Sequence, residues 1–171
     1  VTTLSMILFI ASLFTYATST ETNKEKERAR VEQVIKDSIG WALDKDKERL
    51  YNSVAHDENF FIFHPDAYGT VIGFETFRQR VETVFMSDDF KATSFEVKKL
   101  RITFSKSGDV AWFSSLLDDF GEWKGEPAAW VDCRWTGVLE KRESRWVITQ
   151  MHFSFPQDPD DSEEGETEKE S

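Results

Sequence analysis

The polar residues best suited to chemistry fall in three strand-like segments in the second half of the chain. In a β-strand every second side chain lies on the same face. Within their strands, the following side chains then share a face: Trp112 and Asp118; Trp130, Asp132 and Arg134; Gln150 and His152. If all three groups face one hollow, they form a ligand-binding pocket with aromatic walls and few polar groups, as small-molecule sites usually have.

Three of these residues are candidates for catalysis: His152, Asp132 and Asp118. An Asp–His pair permits general acid–base catalysis, because histidine titrates near neutral pH. Each residue also has a structural interpretation. Asp132 and Arg134 could form an ion pair on the outer face, Asp118 could be a solvated residue near a turn, and His152 could be hydrogen-bonded in a polar corner of the core. The sequence leaves these alternatives open.

Other kinds of site are not indicated. His56 and His64 are eight residues apart, and at ~3.3 Å per residue of strand they cannot share one metal ion. The sequence has no HxxxH, CxxC, GxSxG or glycine-rich phosphate motif. The single cysteine, Cys133, cannot form an internal disulfide, and we expect a buried, inert thiol. We therefore predict neither a metal nor a cofactor.

The first half of the chain is predicted to be mainly helical. Apolar residues recur at three- and four-residue spacings over 21–43, and 45–54 is predicted to be a second, short helix. Residues 56–64 indicate a strand. A third helix is expected after Gly73, with one apolar stripe formed by Phe74, Phe77, Val81, Val84 and Phe85.

The remainder is predicted to be an antiparallel sheet. Strands are expected over 94–105, 110–120, 128–140 and 145–155, with residues 121–127 as a longer connection. The apolar parity of the first strand changes near Lys98 and Lys99, which indicates a β-bulge. Helices followed by consecutive strands predict the α+β class, with the helices covering one face of the sheet.

The last strand carries a family resemblance. Trp146, Ile148, His152 and Ser154 reproduce a Trp-x-Ile-x-x-x-His-x-Ser pattern, and Val71-Ile72-Gly73 opens a helix. In this series of features the chain resembles the SnoaL-like family of the nuclear transport factor 2-like superfamily, over about residues 25–156. The resemblance implies a cone-shaped α+β barrel, in which a strongly curved antiparallel sheet wraps around three N-terminal helices and leaves a pocket. It also implies a homodimer. The superfamily contains isomerases, dehydratases and cyclases together with non-catalytic domains, so the resemblance does not fix a reaction.

The two ends of the chain differ in composition from the domain at 20–156. Met6 to Tyr16 is an apolar run of signal-peptide length, so we predict a leader over 1–19 and an exported protein, with an uncleaved anchor as the alternative. Residues 157–171 contain eight carboxylates and one lysine, and predict a disordered acidic tail. The net charge of −11 and the lack of a basic stripe argue against nucleic-acid binding. After leader cleavage no membrane association is expected.

Three functions are consistent with these features. The first is an exported domain that binds a small, largely apolar ligand inside the cone, and it is favoured because no catalytic set is recognisable. The second is an isomerase, dehydratase or cyclase that uses His152 and an aspartate as acid and base. The third is an oligomerisation module that buries an apolar outer sheet face, for instance Val131, Cys133 and Trp135.

Overall fold

The computed structural model describes residues 23–66 and 69–156. The predicted leader and acidic tail lie outside these residues. Among the residues described, no helix is long and apolar enough to cross a membrane.

Within the part of the chain that the structure describes, three helices precede most of the sheet. Helix α1 covers 23–40 and continues as a 3-10 turn, Trp41–Leu43. Helix α2 is Lys47–Ser53, and its first turn is capped by the Asp46 side chain, which accepts a hydrogen bond from the Arg49 backbone amide. Helix α3, Phe74–Arg80, follows Gly73 and passes into a π-helical segment, Val81–Phe85.

Over residues 23–66 and 69–156, six strands form one open, mixed sheet. In chain order they are β1 Phe61–Phe63, β2 Val71–Ile72, β3 Phe90–Phe104, β4 Val110–Trp123, β5 Glu126–Arg142 and β6 Arg145–Ser154. Their spatial order is β2-β1-β6-β5-β4-β3, and β1 runs parallel to β6 while the other pairs are antiparallel. The α+β class is confirmed. The predicted cone shape and N-terminal helices are roughly consistent with this fold. Two details of the predicted sheet are wrong: the sheet is mixed rather than antiparallel, because β1 runs parallel to β6, and it is not closed into a barrel, because β2 and β3 remain separate edges.

Strand boundaries also differ from the sequence-based expectation. Residues 121–127 are not a long connection, because β4 and β5 continue to a two-residue turn at Lys124 and Gly125. Both turn residues have positive φ (54° and 82°), as the tight turns that match strand twist require. The bulge expected near Lys98 and Lys99 is present: the β3–β4 register shifts between Lys98 and Arg101, and Lys99 has φ 52°.

The core lies between the helices and the inner face of the sheet. Its largest fully buried side chains include Ile35, Leu50, Phe60, Leu117, Trp135 and Ile148. The β6 residue Trp146 attaches α1 to the sheet, because its indole nitrogen donates to the Glu27 carboxylate over 2.7 Å while Lys141 pairs with the same oxygen at 2.8 Å. Trp146 and Ile148 thus have structural roles in this sheet.

Candidate functional site

A cavity of about 870 Å³ separates the helices from the far end of the sheet. Its walls are mostly apolar, and the large aromatic side chains among them are Trp41, Phe77, Phe85, Phe90, Phe120, Trp123, Trp130 and Phe153. The ionisable side chains that line it are His64, Asp66, Arg80, Asp119 and Glu122. A few polar groups in an apolar, aromatic cavity of this volume are typical of small-molecule sites.

A bulge in β5 brings Trp130 into this cavity. Leu117 pairs with Cys133 and Asp119 pairs with Trp130, so two steps along β4 match three steps along β5. The bulge includes Asp132, whose φ is 52°. The extra residue allows Trp130 and Cys133 both to lie on the inner side although they are three positions apart. It also puts Asp119 beside the Trp130 backbone.

His64 lies directly after β1 and contacts two aromatic rings of the inner face. Its ring centroid is 5.7 Å from that of Trp130 and 5.5 Å from that of Phe153. Burial lowers the pKa of His64, the positive charge of Arg80 lowers it further, and Asp66 opposes the shift. The imidazole is therefore neutral at neutral pH and can accept a proton or donate a hydrogen bond.

Asp119 is the unusual carboxyl of the cavity. Burial raises its pKa from the ordinary 3.8 to about 6. Within the described part of the chain its side chain has neither a hydrogen bond nor an ion pair, whereas Glu122 pairs with Lys91 at 3.3 Å. A partly buried carboxyl without a partner, titrating near neutral pH, can exchange a proton with a bound molecule or hold a positive charge.

Most of the side chains predicted to line the hollow lie on the opposite face of the sheet. Trp130 lines the cavity. Trp112, Arg134, Gln150 and His152 are exposed on the outer face, where the His152 ring lies 5.8 Å from that of Phe63. The assumption that all three strand groups face inward is wrong, because the neighbouring positions on the same strands are the ones that pack against the helices. A molecule in the cavity could not contact His152.

The two aspartates predicted as catalytic candidates do meet, but around a lysine on the outer face. Lys98 Nζ lies 2.7 Å from an oxygen of Asp118 and 2.7 Å from an oxygen of Asp132. The other Asp118 oxygen accepts the Asp132 backbone N–H over 2.8 Å. These contacts hold the pKa of Asp118 below its usual value, with the Asp132 amide as the largest cause and Lys98 next. The cluster holds the β5 bulge in place, and Asp132 pairs with Lys98 rather than forming the ion pair considered with Arg134.

The inner face could have been identified from the sequence. The alternate set on β4, Ala111, Phe113, Ser115 and Leu117, is buried and leads to Asp119, whereas Trp112 is 47% exposed. The set of alternate strand positions richer in apolar residues therefore marks the inner face. The prediction used the set richer in polar residues, which lies on the outer face. No simple pattern identifies His64, because β1 has only three residues.

Cys133 is buried in the core, and burial raises the pKa of its thiol to about 11. It is therefore protonated and unreactive at neutral pH, as the sequence indicated. Trp135 is fully buried beside it, so of the three residues expected to form an apolar outer face, only Val131 is exposed. In the described ranges, no group of three or more His, Cys, Asp and Glu side chains could hold a metal ion.

Comparisons with solved structures identify the fold. The chain is similar to a nuclear transport factor 2-like superfamily protein from Salmonella enterica serovar Typhimurium, with a TM-score of 0.68, 16% identity, and coverage of 80% of this chain and 95% of that one. It is similar to a type 2 hexachlorocyclohexane dehydrochlorinase (LinA), with a TM-score of 0.65, 15% identity and coverage of 80% and 90%. The association domain of the Caenorhabditis elegans kinase CaMKII gives 0.56, 20% identity and coverage of 80% and 98%.

These identities are low, so the structural likeness establishes the nuclear transport factor 2-like fold and no activity. No curated protein matches the sequence. The SnoaL-like domain profile matches residues 31–158, which includes all six strands and every cavity-lining residue. The chain therefore belongs to the SnoaL-like domain family.

Proposed function

We propose that this protein binds a small, largely apolar molecule in the cavity between its helices and its sheet. The observation that carries the proposal is the cavity itself, which has about 870 Å³ of space and aromatic walls broken by few polar groups. Protein interiors are normally close-packed, so side chains would fill this space if it had only a structural role. The apolar run Met6 to Tyr16 supports an exported setting for this binding.

The proposal is tested by filling the cavity. Ala42 is half-buried on the cavity wall, whereas Thr136 is exposed on the outer face of β5. We expect Ala42→Phe to weaken the binding of 2-naphthylmethanol, measured by calorimetry, about tenfold or more, since the added ring occupies the ligand's volume. Thr136→Phe adds the same ring outside the cavity and should leave the affinity unchanged. Equal losses in both variants, or no binding by the wild type, would contradict the proposal.

Acid–base catalysis in the same cavity is the second candidate function. It is favoured by the raised pKa of Asp119, about 6, in a cavity that also contains His64. At neutral pH Asp119 is mostly ionised and could remove a proton next to a carbonyl group, while the neutral His64 could donate a hydrogen bond. This arrangement replaces the predicted pairing of His152 with Asp118 or Asp132.

A carbon acid of suitable shape tests this second function. The protein should accelerate deuterium incorporation at C1 of 2-tetralone in heavy water, as followed by NMR. Asp119→Asn should abolish the acceleration and His152→Ala should retain it. No acceleration by the wild type leaves binding alone as the function.

We also propose that the outer sheet face mediates homo-oligomerisation. Phe63, Ile72, Trp112 and Val131 are exposed apolar residues of the sheet, between 47% and 63% accessible. The similar CaMKII domain is described as an association domain, which supports a second copy of this chain as the occupant. Light scattering should give an oligomer for the wild type and a monomer for Trp112→Glu, because a buried unpaired carboxylate opposes association. A monomeric wild type at high concentration would contradict this proposal.

A further inference from the structure

The cavity has an uneven distribution of charge. Among the described residues, three carboxyl groups line it, Asp66, Asp119 and Glu122, against one permanently charged cation, Arg80. Arg80 already donates a hydrogen bond to the Gly69 carbonyl over 2.9 Å, and Lys91 pairs with Glu122 at 3.3 Å. Even with that lysine counted, the carboxylates outnumber the cations once Asp119 is ionised.

Asp119 is the one of these carboxyls that has no partner among the residues the structure describes. Taking a charged carboxylate out of water without compensation is unfavourable, so a carboxyl with a purely structural role normally has a donor beside it. Asp118, the preceding residue, illustrates the difference, because it accepts from a backbone amide and from Lys98. Asp119 instead lines the cavity with its oxygens available to a bound molecule.

Aromatic rings line the cavity beside Asp119. Trp130 is its cross-strand partner, Phe120 is the next residue, and both line the same cavity. The faces of aromatic rings attract cations, most strongly when water is excluded. A carboxylate and aromatic rings together complement an ammonium group attached to an apolar body.

We propose that the ligand of this cavity is a small cationic amine with an apolar or aromatic body, whose ammonium group binds to Asp119. This inference rests on the proposed function, because it names the ligand class of the same cavity. On ionisation Asp119 supplies the negative charge, and the ring walls supply contact with the apolar part. His64 is neutral at neutral pH and does not repel the amine.

The test uses three probes of nearly equal shape and different charge: 2-naphthylmethylamine, 2-naphthylmethanol and 2-naphthoate. At about pH 7.5 the amine should bind the wild type about tenfold more tightly than the alcohol, and the carboxylate should bind most weakly. Asp119→Asn should bind the amine and the alcohol with about equal affinity, because the affinity for the amine falls while that for the alcohol is unchanged. Glu122→Gln is the control, since it removes a lining carboxylate that already has a partner, and it should keep the preference.

Lowering the pH should act as Asp119→Asn does. At pH values below about 6, where Asp119 becomes protonated, the wild type should lose its preference for the amine over the alcohol. Other charged or titratable groups lie near Asp119: the cavity is also lined by His64, Asp66, Arg80 and Glu122, and burial together with the negative charge of Asp119 raises the pKa of Cys133. The same pH titration of Asp119→Asn therefore separates the contribution of Asp119 from that of the other groups. Protonation of His64 at low pH would also weaken amine binding, because the imidazolium would repel the ammonium group. The pH dependence that remains in Asp119→Asn measures this contribution of His64.

Each outcome has a distinct meaning. Equal or weaker binding of the amine relative to the alcohol overturns the ligand class but leaves the binding function intact. A preference for the amine that survives Asp119→Asn overturns the role of Asp119. Tighter binding of 2-naphthoate overturns the inference in favour of an anion held by Arg80. Failure of all three probes to bind overturns the proposed function and this inference together.

Discussion

Replacing Asp119 with asparagine should stabilise the folded protein at about pH 8 and leave its stability nearly unchanged at about pH 4. The folded-state pKa of Asp119 is about 6, against an ordinary value of 3.8. The folded protein therefore binds this proton more tightly than the unfolded chain does. Stability falls as the pH rises between the two values, and the full cost is present above pH 6.

The size of the effect follows from the shift. A difference of about two pKa units corresponds to roughly 2–3 kcal/mol in the free energy of unfolding. Asparagine resembles the neutral carboxyl in shape, so it avoids this cost at high pH. The comparison is made by urea unfolding of both proteins at the two pH values.

His64 contributes with the opposite sign. Its lowered pKa means that its stabilising contribution is present above the ordinary histidine value and is lost as the pH falls. Because both proteins keep His64, their difference isolates Asp119. Glu122→Gln is the control and should show no such gain, since Glu122 is paired with Lys91. An equal change at both pH values would contradict the burial of Asp119.

Gly137→Ala should destabilise the protein by about 2–3 kcal/mol, because the close packing at this point leaves no space for a methyl group. A Cβ at Gly137 would lie 2.5 Å from Phe113 Cε1 and 2.7 Å from the Gln150 carbonyl oxygen. The second contact is with backbone and cannot be relieved by rotating a side chain. The first contact places the Phe113 ring directly over Gly137. The ring packs edge-on against Trp135 there, with the two ring centroids 4.9 Å apart.

The neighbouring residue provides the control for Gly137→Ala. Thr136 is exposed on the outer face, and Thr136→Val should change the free energy of unfolding by no more than about 0.5 kcal/mol. Urea unfolding measures both variants. If Gly137→Ala had the same small effect, the close contact between β4, β5 and β6 at this point would be wrong.

Much of the fold could be predicted because it depends on local patterns. Apolar spacing located the helices, and the change of parity at Lys98 and Lys99 located a bulge. The parallel pairing of β1 with β6 could not be predicted, because the three residues of β1 meet a partner nearly ninety positions away. The turn at Lys124 and Gly125 was missed because Lys-Gly is not one of the residue pairs typical of two-residue hairpins, and only Gly125 indicates the positive φ that such a turn needs.

The candidate site was harder to predict than the fold. Alternation was right along β4 but is interrupted by register shifts that involve β5 and β6. The choice of face was also made from polar residues rather than from apolar ones. The β5 bulge then separated Trp130 from Asp132, which share parity in sequence but lie on opposite sides of the sheet. His152 belongs to the motif that carries the family resemblance, yet it is exposed on the outer face, while its neighbours Met151 and Phe153 line the cavity on the inner face. The motif thus identifies the family and not the site.

Tryptophan resonances test most directly whether a small molecule binds between the helices and the sheet. The chain has six tryptophans, of which Trp41, Trp123 and Trp130 line the cavity and Trp112, Trp135 and Trp146 do not. Titration with 2-naphthylmethylamine should shift the indole N–H signals of the first three, with Trp130 shifting most, and should leave Trp112 unmoved. Single Trp→Phe variants assign the signals. A shift at Trp112 without one at Trp130 would place binding on the outer face and contradict the account.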